Sequence, residues 1–285
     1  MKSALLLVIA LFAQQSAPPP IRQLGSPVEI SVKERNTPAK PTPRWPDGHV
    51  NLGASSGAHG LWLPYNSVTE RLVLPDDATP ETEQQFPDRP KLRDIPFQPW
   101  ARALFATRSQ NPFEPHARCK PSAGPRQFLT PYGVELVEIP ELQRVFITDL
   151  GGPHTYRTIY LDRRSHPEDL APSYYGDSIG HWEGDTLVVD SRGFNEAFWI
   201  DRGGLPHTDQ LHMIERFTRK DSKTLHYRVT IDDPGAYTRE WSSGFVLGWD
   251  PDQEPFEYIC QDNNLATDLM LGAMEQIHRQ RSVVP

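Results

Sequence analysis

The chain has 285 residues, a formal net charge of −8, ten histidines and two cysteines. An acidic chain with no offsetting basic cluster argues against nucleic acid and anionic membrane surfaces as partners. Two cysteines without a CxxC spacing support neither a thiol-redox motif nor a cysteine zinc site.

In chain order, Lys2 precedes an unbroken apolar run from Ala4 to Ala13. A membrane span needs roughly 20 residues, so this run has instead the size of a signal-peptide core. Residues 1–17 are therefore expected to be a cleaved signal, and the rest to be exported, periplasmic or extracellular. In an oxidising compartment Cys119 and Cys260 are expected to pair. That bridge would close a loop of about 140 residues, worth roughly 5 kcal/mol in the chain-entropy picture.

Of 29 prolines, 21 fall in the first 140 residues. Proline removes a donor and resists helix interiors and central strands. Residues 18–48 thus read as an extended, Pro-rich leader, and 49–285 as one β-rich domain. Its opening, 49–126, carries Trp62, Tyr65, Phe86, Phe97, Trp100, Phe105 and Phe113 among prolines, which predicts an irregular wrap over a core. One short helix is predicted over 97–109.

From about residue 127 the hydrophobic period turns to two. Val134, Val137 and Ile139 share one candidate strand, followed by 144–150 and 156–162. Residues 181–190 read as a hairpin turning at Gly184-Asp185. Residues 211–217 and 224–232 form a second hairpin, and 239–249 and 256–260 close the series. The fold class is mainly β: an antiparallel meander forming a barrel or a sandwich, with a calycin-like barrel favoured because closure removes edges and can leave a ligand cavity. Leu265, Leu269, Ala273 and Ile277 define one face of a C-terminal helix over 265–279.

Four ordered stretches carry a resemblance. GDSIGHWEGDTLVVDSRGFN (176–195) is similar to GxSxGxWEGDTLVVDTxGFN, and GLPHTDQLHMIERFTR (204–219) to GxPHSExLxxxERFxR. VTIDDPGAYTREW (229–241) resembles VTIDDPxAYTxPW, and EYICQDNN (257–264) resembles EYxCxENN. Together they resemble an uncharacterised family of exported bacterial proteins over roughly residues 44–265. The resemblance implies no established activity. Thr208, Asp209 and Glu240 depart from the pattern, and His181 stands where another basic residue is usual.

The chemistry-bearing residues begin with His207, Asp209, His212 and Glu215. Strand alternation puts Glu215 on the apolar face with Leu211, Met213 and Phe217, and His212 on the other. A carboxylate on an apolar face is either a general acid or base, with His207 as its partner, or one end of a salt bridge. Candidate ligand-binding residues are His154, Tyr156 and Arg157, whose charge could hold a carboxylate, with Trp182, Asp209, Tyr237 and Trp241. Ser178 fits G-x-S-x-G formally, but a hairpin strand follows it where the nucleophile elbow needs a helix. Metal and cofactor are left open. Three readings follow: a barrel whose lumen takes a small, partly apolar molecule; an exported hydrolase, lyase or isomerase using Glu215 with a histidine, with or without a metal; and an envelope structural or interaction protein.

Overall fold

A computed structural model describes residues 38–260, apart from 65–70, 111–113, 131, 152, 154, 163–164 and 258. The expected signal, the leader up to residue 37, the C-terminal helix, Tyr65, Phe113 and His154 lie outside the described residues.

Nine strands close into a barrel in sequence order. They are β1 (Leu61–Pro64), β2 (Val134–Ile139), β3 (Arg144–Asp149), β4 (Tyr156–Tyr160), β5 (Asp177–Glu183), β6 (Thr186–Arg192), β7 (His212–Arg219), β8 (Thr224–Asp232) and β9 (Trp241–Asp250). The barrel expectation holds, but the purely antiparallel meander does not. A ring with an odd number of strands cannot alternate direction all the way round. The mismatch falls between β4 and β5, which run parallel and pair only through Ile159–Ser178 and Tyr160–Ile179. The connection from Tyr160 to Asp177 is the crossover that a parallel pair requires.

Two further expectations are corrected. Leu61–Pro64 lies within the supposed irregular wrap, yet it forms the strand that closes the ring, pairing with β9 and touching β2 at Trp62–Val134. Its signal was a short apolar run between Gly60 and Pro64. Residues 256–260 form no strand at their described positions. Cys260 is instead held by its disulfide to Cys119, with a Cα separation of 5.5 Å.

Burial alternates strictly along β7 and β8, so Met213, Phe217, Tyr227 and Val229 point inward. Helix α1 (Pro80–Gln85) lies outside this core, α2 (Pro99–Arg108) matches the predicted short helix, and α3 (Pro125–Phe128) is buried along its whole length. From α3, Phe128 packs against Phe217, Tyr227 and Phe245, at centroid distances of 5.5, 5.0 and 6.5 Å. The lumen is thus occupied by the protein's own aromatic side chains.

The turns at 140–143, 184–185 and 220–223 share one end of the barrel, called the lower end here; the upper end carries 193–211 and 233–240. At the lower end the last part of the Pro-rich leader is a strap. Lys40 donates to Ser222, Arg44 pairs with Asp185 at 2.6 Å, and Trp45 Nε1 donates to Glu138 at 2.8 Å. Gly184 turns the β5–β6 hairpin at φ +58°, a conformation that glycine adopts freely.

Candidate functional site

Glu215 points into the lumen, as its alternation predicted, and is fully buried. Five successive strands contribute to its surroundings. Arg157 of β4 grips both carboxylate oxygens, with Nη1–Oε1 at 3.0 Å. The same guanidinium donates from Nε to Ser178 of β5 (2.9 Å) and from Nη2 to Ser191 of β6 (2.7 Å). Tyr227 of β8 donates its hydroxyl to Glu215 Oε1 at 2.8 Å. Burial alone would pull the Arg157 pKa down, but the adjacent Glu215 charge outweighs it and raises it. Burial, then Glu215, pushes the Tyr227 phenol well above its ordinary value, so it keeps its proton and donates.

Glu215 is therefore the centre of a saturated ion pair. His207 does not meet it. Its Nε2 lies 3.0 Å from the Phe198 carbonyl oxygen and its ring 4.1 Å from the Phe198 ring. Burial pushes its pKa down to about 4, leaving a neutral imidazole inside the upper-end loops. Catalysis by a Glu215–His207 pair has no geometric basis here. Arg157 does hold a carboxylate, but it is the chain's own. Its neighbour Tyr156 is exposed.

The remaining sequence candidates disperse. Asp209 is exposed in a turn. His212 lies on the outer wall, where its Nε2 approaches Asp190 at 3.0 Å, and His166 of the crossover approaches the same oxygen at 3.1 Å. Among the described residues no group of three or more His, Cys, Asp or Glu is placed to hold a metal ion. Tyr237 and Trp241 are buried, and Tyr237 donates to the Pro206 carbonyl at 2.8 Å. Asp233 accepts from the Thr208 backbone and hydroxyl, both at 2.6 Å, which ties the two upper-end loops together. Ser178 is buried on a strand beneath Arg157, with no nucleophile elbow.

An open cleft of about 650 Å³ lies at the lower end, within the range of small-molecule sites. Its position follows from the parallel seam. Strand β4 stops at Tyr160 while β5 runs on to Glu183, so the far half of β5 has no β4 neighbour. Leu161, Ile179, Gly180 and Trp182 supply the apolar wall, and Gln143 and His181 sit on the rim. Gly180 permits the approach, because a Cβ there would sit 2.7 Å from Ile159 and 2.9 Å from Leu161.

The polar wall comes from the strap and β2. His49 is held between two carboxylates, with Nδ1 2.5 Å from Asp47 and Nε2 2.8 Å from Glu138. Glu138 is nine-tenths buried and also accepts from Trp45, whereas Asp47 is exposed. The His49 backbone N–H, then its ring, holds the Asp47 carboxyl below the usual range. The imidazole lies 5.4 Å from the Trp182 indole. A neutral ring donates to only one of its two carboxylates and an imidazolium to both. The array Asp47–His49–Glu138 thus sets both ring nitrogens of one imidazole against carboxylates at the edge of the cleft. Of the candidate catalytic and ligand-binding residues named from the sequence, only Trp182 belongs to this site.

Asp47, His49 and Glu138 were missed, although one signal was available. Alternation from Val134 and Leu136 puts Glu138 on the inward face, the same logic that found Glu215. His49 offered no local signal, since it follows an irregular Pro-rich segment.

No family model matches this chain, and neither the curated proteins nor the solved structures contain a match.

Proposed function

We propose that this protein binds a small, partly apolar molecule in the lower-end cleft, with the lumen serving as packed scaffold. The observation that carries the reading is His49, fixed between Asp47 and Glu138 and facing the Trp182 indole on the wall of a 650 Å³ cavity. The apolar wall would take a ring or short aliphatic body. The imidazole and Gln143 would orient its polar end.

The same array favours a second reading, acid–base chemistry on the bound molecule by His49. A partly open histidine positioned by a carboxylate is the usual arrangement for moving a proton. Export is part of the proposal too, supported by the charged and apolar pattern of residues 1–17 and by the disulfide, a bond that persists in oxidising compartments.

Native mass spectrometry of the full chain purified from its own compartment, beside its denatured mass, tests the binding reading. A retained organic mass that disappears in Trp182→Ala is the expected result. A bare polypeptide in both forms, with no saturable 8-anilinonaphthalene-1-sulfonate signal sensitive to Trp182→Ala, would remove the reading. A retained mass indifferent to Trp182→Ala would place the ligand elsewhere.

A further inference from the structure

Given the binding reading above, on which this inference rests, the lining of the cleft decides which charge it admits. Among the described residues that line it are two carboxylates, Asp47 and Glu138, and two histidines, His49 and His181, with no lysine or arginine. Three arginines around the cleft are committed to other carboxylates. Arg44 of the strap holds Asp185 and Arg216 of β7 holds Glu183, each at 2.6 Å, and Arg144 lies 3.3 Å from Asp162. His181 lies 3.2 Å from the same Glu183. An anionic ligand would meet two negative charges in the cleft and no fixed positive one.

His49 sharpens this preference. Its Nδ1 lies 2.5 Å from Asp47 and its Nε2 2.8 Å from Glu138. An imidazolium donates to both, whereas a neutral ring donates to one and turns a lone pair toward the other. The two carboxylates differ in access. The Glu138 side chain is 3 % exposed and the Asp47 side chain 68 %. A neutral His49 therefore donates best from Nε2 to the buried Glu138, whose charge has the greater need of a donor. That leaves the Nδ1 lone pair and the accessible Asp47 carboxylate side by side, two acceptors with no donor between them. The Trp45 and Trp182 rings stand 6.1 and 5.4 Å from the imidazole. An indole face is the best aromatic partner for a cation.

The missing donor is either a second proton on the ring or an N–H that a ligand brings. We propose that the ligand of this cleft is a small organic ammonium, a charged primary or secondary amine whose N–H donates at Asp47 and His49 Nδ1. Its apolar body would lie along Trp182, Ile179 and Leu161 on the opposite wall. The ligand N–H and the second imidazole proton take the same place. Binding thus excludes that proton, and affinity rises as increasing pH removes it from the ring. The charged groups that face the imidazole are Asp47 of the strap and Glu138 of β2, while Trp45 and Trp182 carry no charge.

The test is calorimetric titration of the full chain with benzylamine hydrochloride, benzyl alcohol and sodium benzoate at matched ionic strength, at pH 6 and pH 8. The three probes share one ring and differ in charge, and benzylamine is a cation at both pH values. Benzylamine is expected to saturate, about tenfold tighter than benzyl alcohol at pH 8, with benzoate weakest. Its affinity should be higher at pH 8 than at pH 6. Asp47→Asn, an exposed change that keeps the fold, should bring benzylamine close to benzyl alcohol and leave benzyl alcohol unaffected. Benzyl alcohol or benzoate binding as tightly as benzylamine, with Trp182→Ala weakening all three, overturns the ammonium assignment and leaves the cleft as a binding site. Benzylamine affinity indifferent to Asp47→Asn also overturns it, and affinity that falls from pH 6 to pH 8 overturns the competition with the ring proton. If none of the probes saturates, the ammonium assignment is lost, and the mass measurement above decides separately whether the cleft binds anything.

Discussion

Glu215 and Glu138 make an instructive pair. Each is an inward-facing carboxylate on a strand whose same-face neighbours are apolar, and each accepts a hydrogen bond from an aromatic donor, Tyr227 or Trp45. Their partners differ. Glu215 meets a guanidinium that never titrates in the working range, fully buried against an arc of five of the nine strands. Glu138 meets an imidazole from the strap, which opens to a cavity on its other side. Burial of a carboxylate therefore marks a position of consequence without saying which kind. The kind is decided by whether its partner can change charge and whether a ligand can reach it.

The comparison breaks first at Glu215. Glu215→Gln should cost about 3–5 kcal/mol in urea unfolding, because Arg157 is left buried and unpaired. The double change Arg157→Met with Glu215→Leu should recover most of that loss. A stable Glu215→Gln protein would mean that the network is not structural. Acid stability comes next. Folded His207 has a pKa of about 4 against 6.5 for the unfolded chain, so the unfolded state binds the extra proton and stability is lost as pH falls from 6.5 to 4. His116 acts in the same direction. Asp149, raised to about 6 by burial, acts oppositely, since its folded carboxyl gains its proton first and stability rises as pH drops through that window. With His207, His116 and His226 set against Asp149 and Asp201, a net loss of stability is expected between pH 7 and 4.5. Asp149→Asn should make the loss steeper, and an unchanged slope would assign acid sensitivity to other groups. The smallest effect belongs to the cleft. Glu138→Gln should cost about 1–2 kcal/mol and His49→Ala about 1 or less. Each should still reduce occupancy of the cleft by about tenfold. Equal losses of stability at Glu138 and Glu215 would erase the distinction drawn between them.

The barrel was legible because β7 and β8 alternate cleanly, and one-sided burial writes that period into the residues. The parity of the ring was not. Leu61–Pro64 is too short and too close to prolines to stand out, and it pairs with a strand at the far end of the chain. Missing it hid both the odd strand count and the parallel seam. The cleft inherits that difficulty, since it is assembled from the strap, the β2–β3 turn and the half of β5 that has no β4 neighbour. Local periodicity located Glu215 correctly and left its role ambiguous. Only the partner contributed by β4 resolves that ambiguity.

The disulfide has a topological effect on how the barrel opens. Cys119 precedes β2 and Cys260 follows β9, so the covalent loop encloses eight strands and leaves β1 outside. The enclosed strands keep a shortened tether even when their hydrogen bonds are lost. Leu61–Pro64 has no such tether and is the shortest strand, which makes it the stave that should release first. In amide hydrogen exchange, the backbone groups of Leu61 to Leu63 and their partners on β9 should lose protection through a sub-global opening. The β7–β8 amides should exchange only with global unfolding. The ring then has a designated place to come apart, set by where a single covalent bond was drawn across the chain.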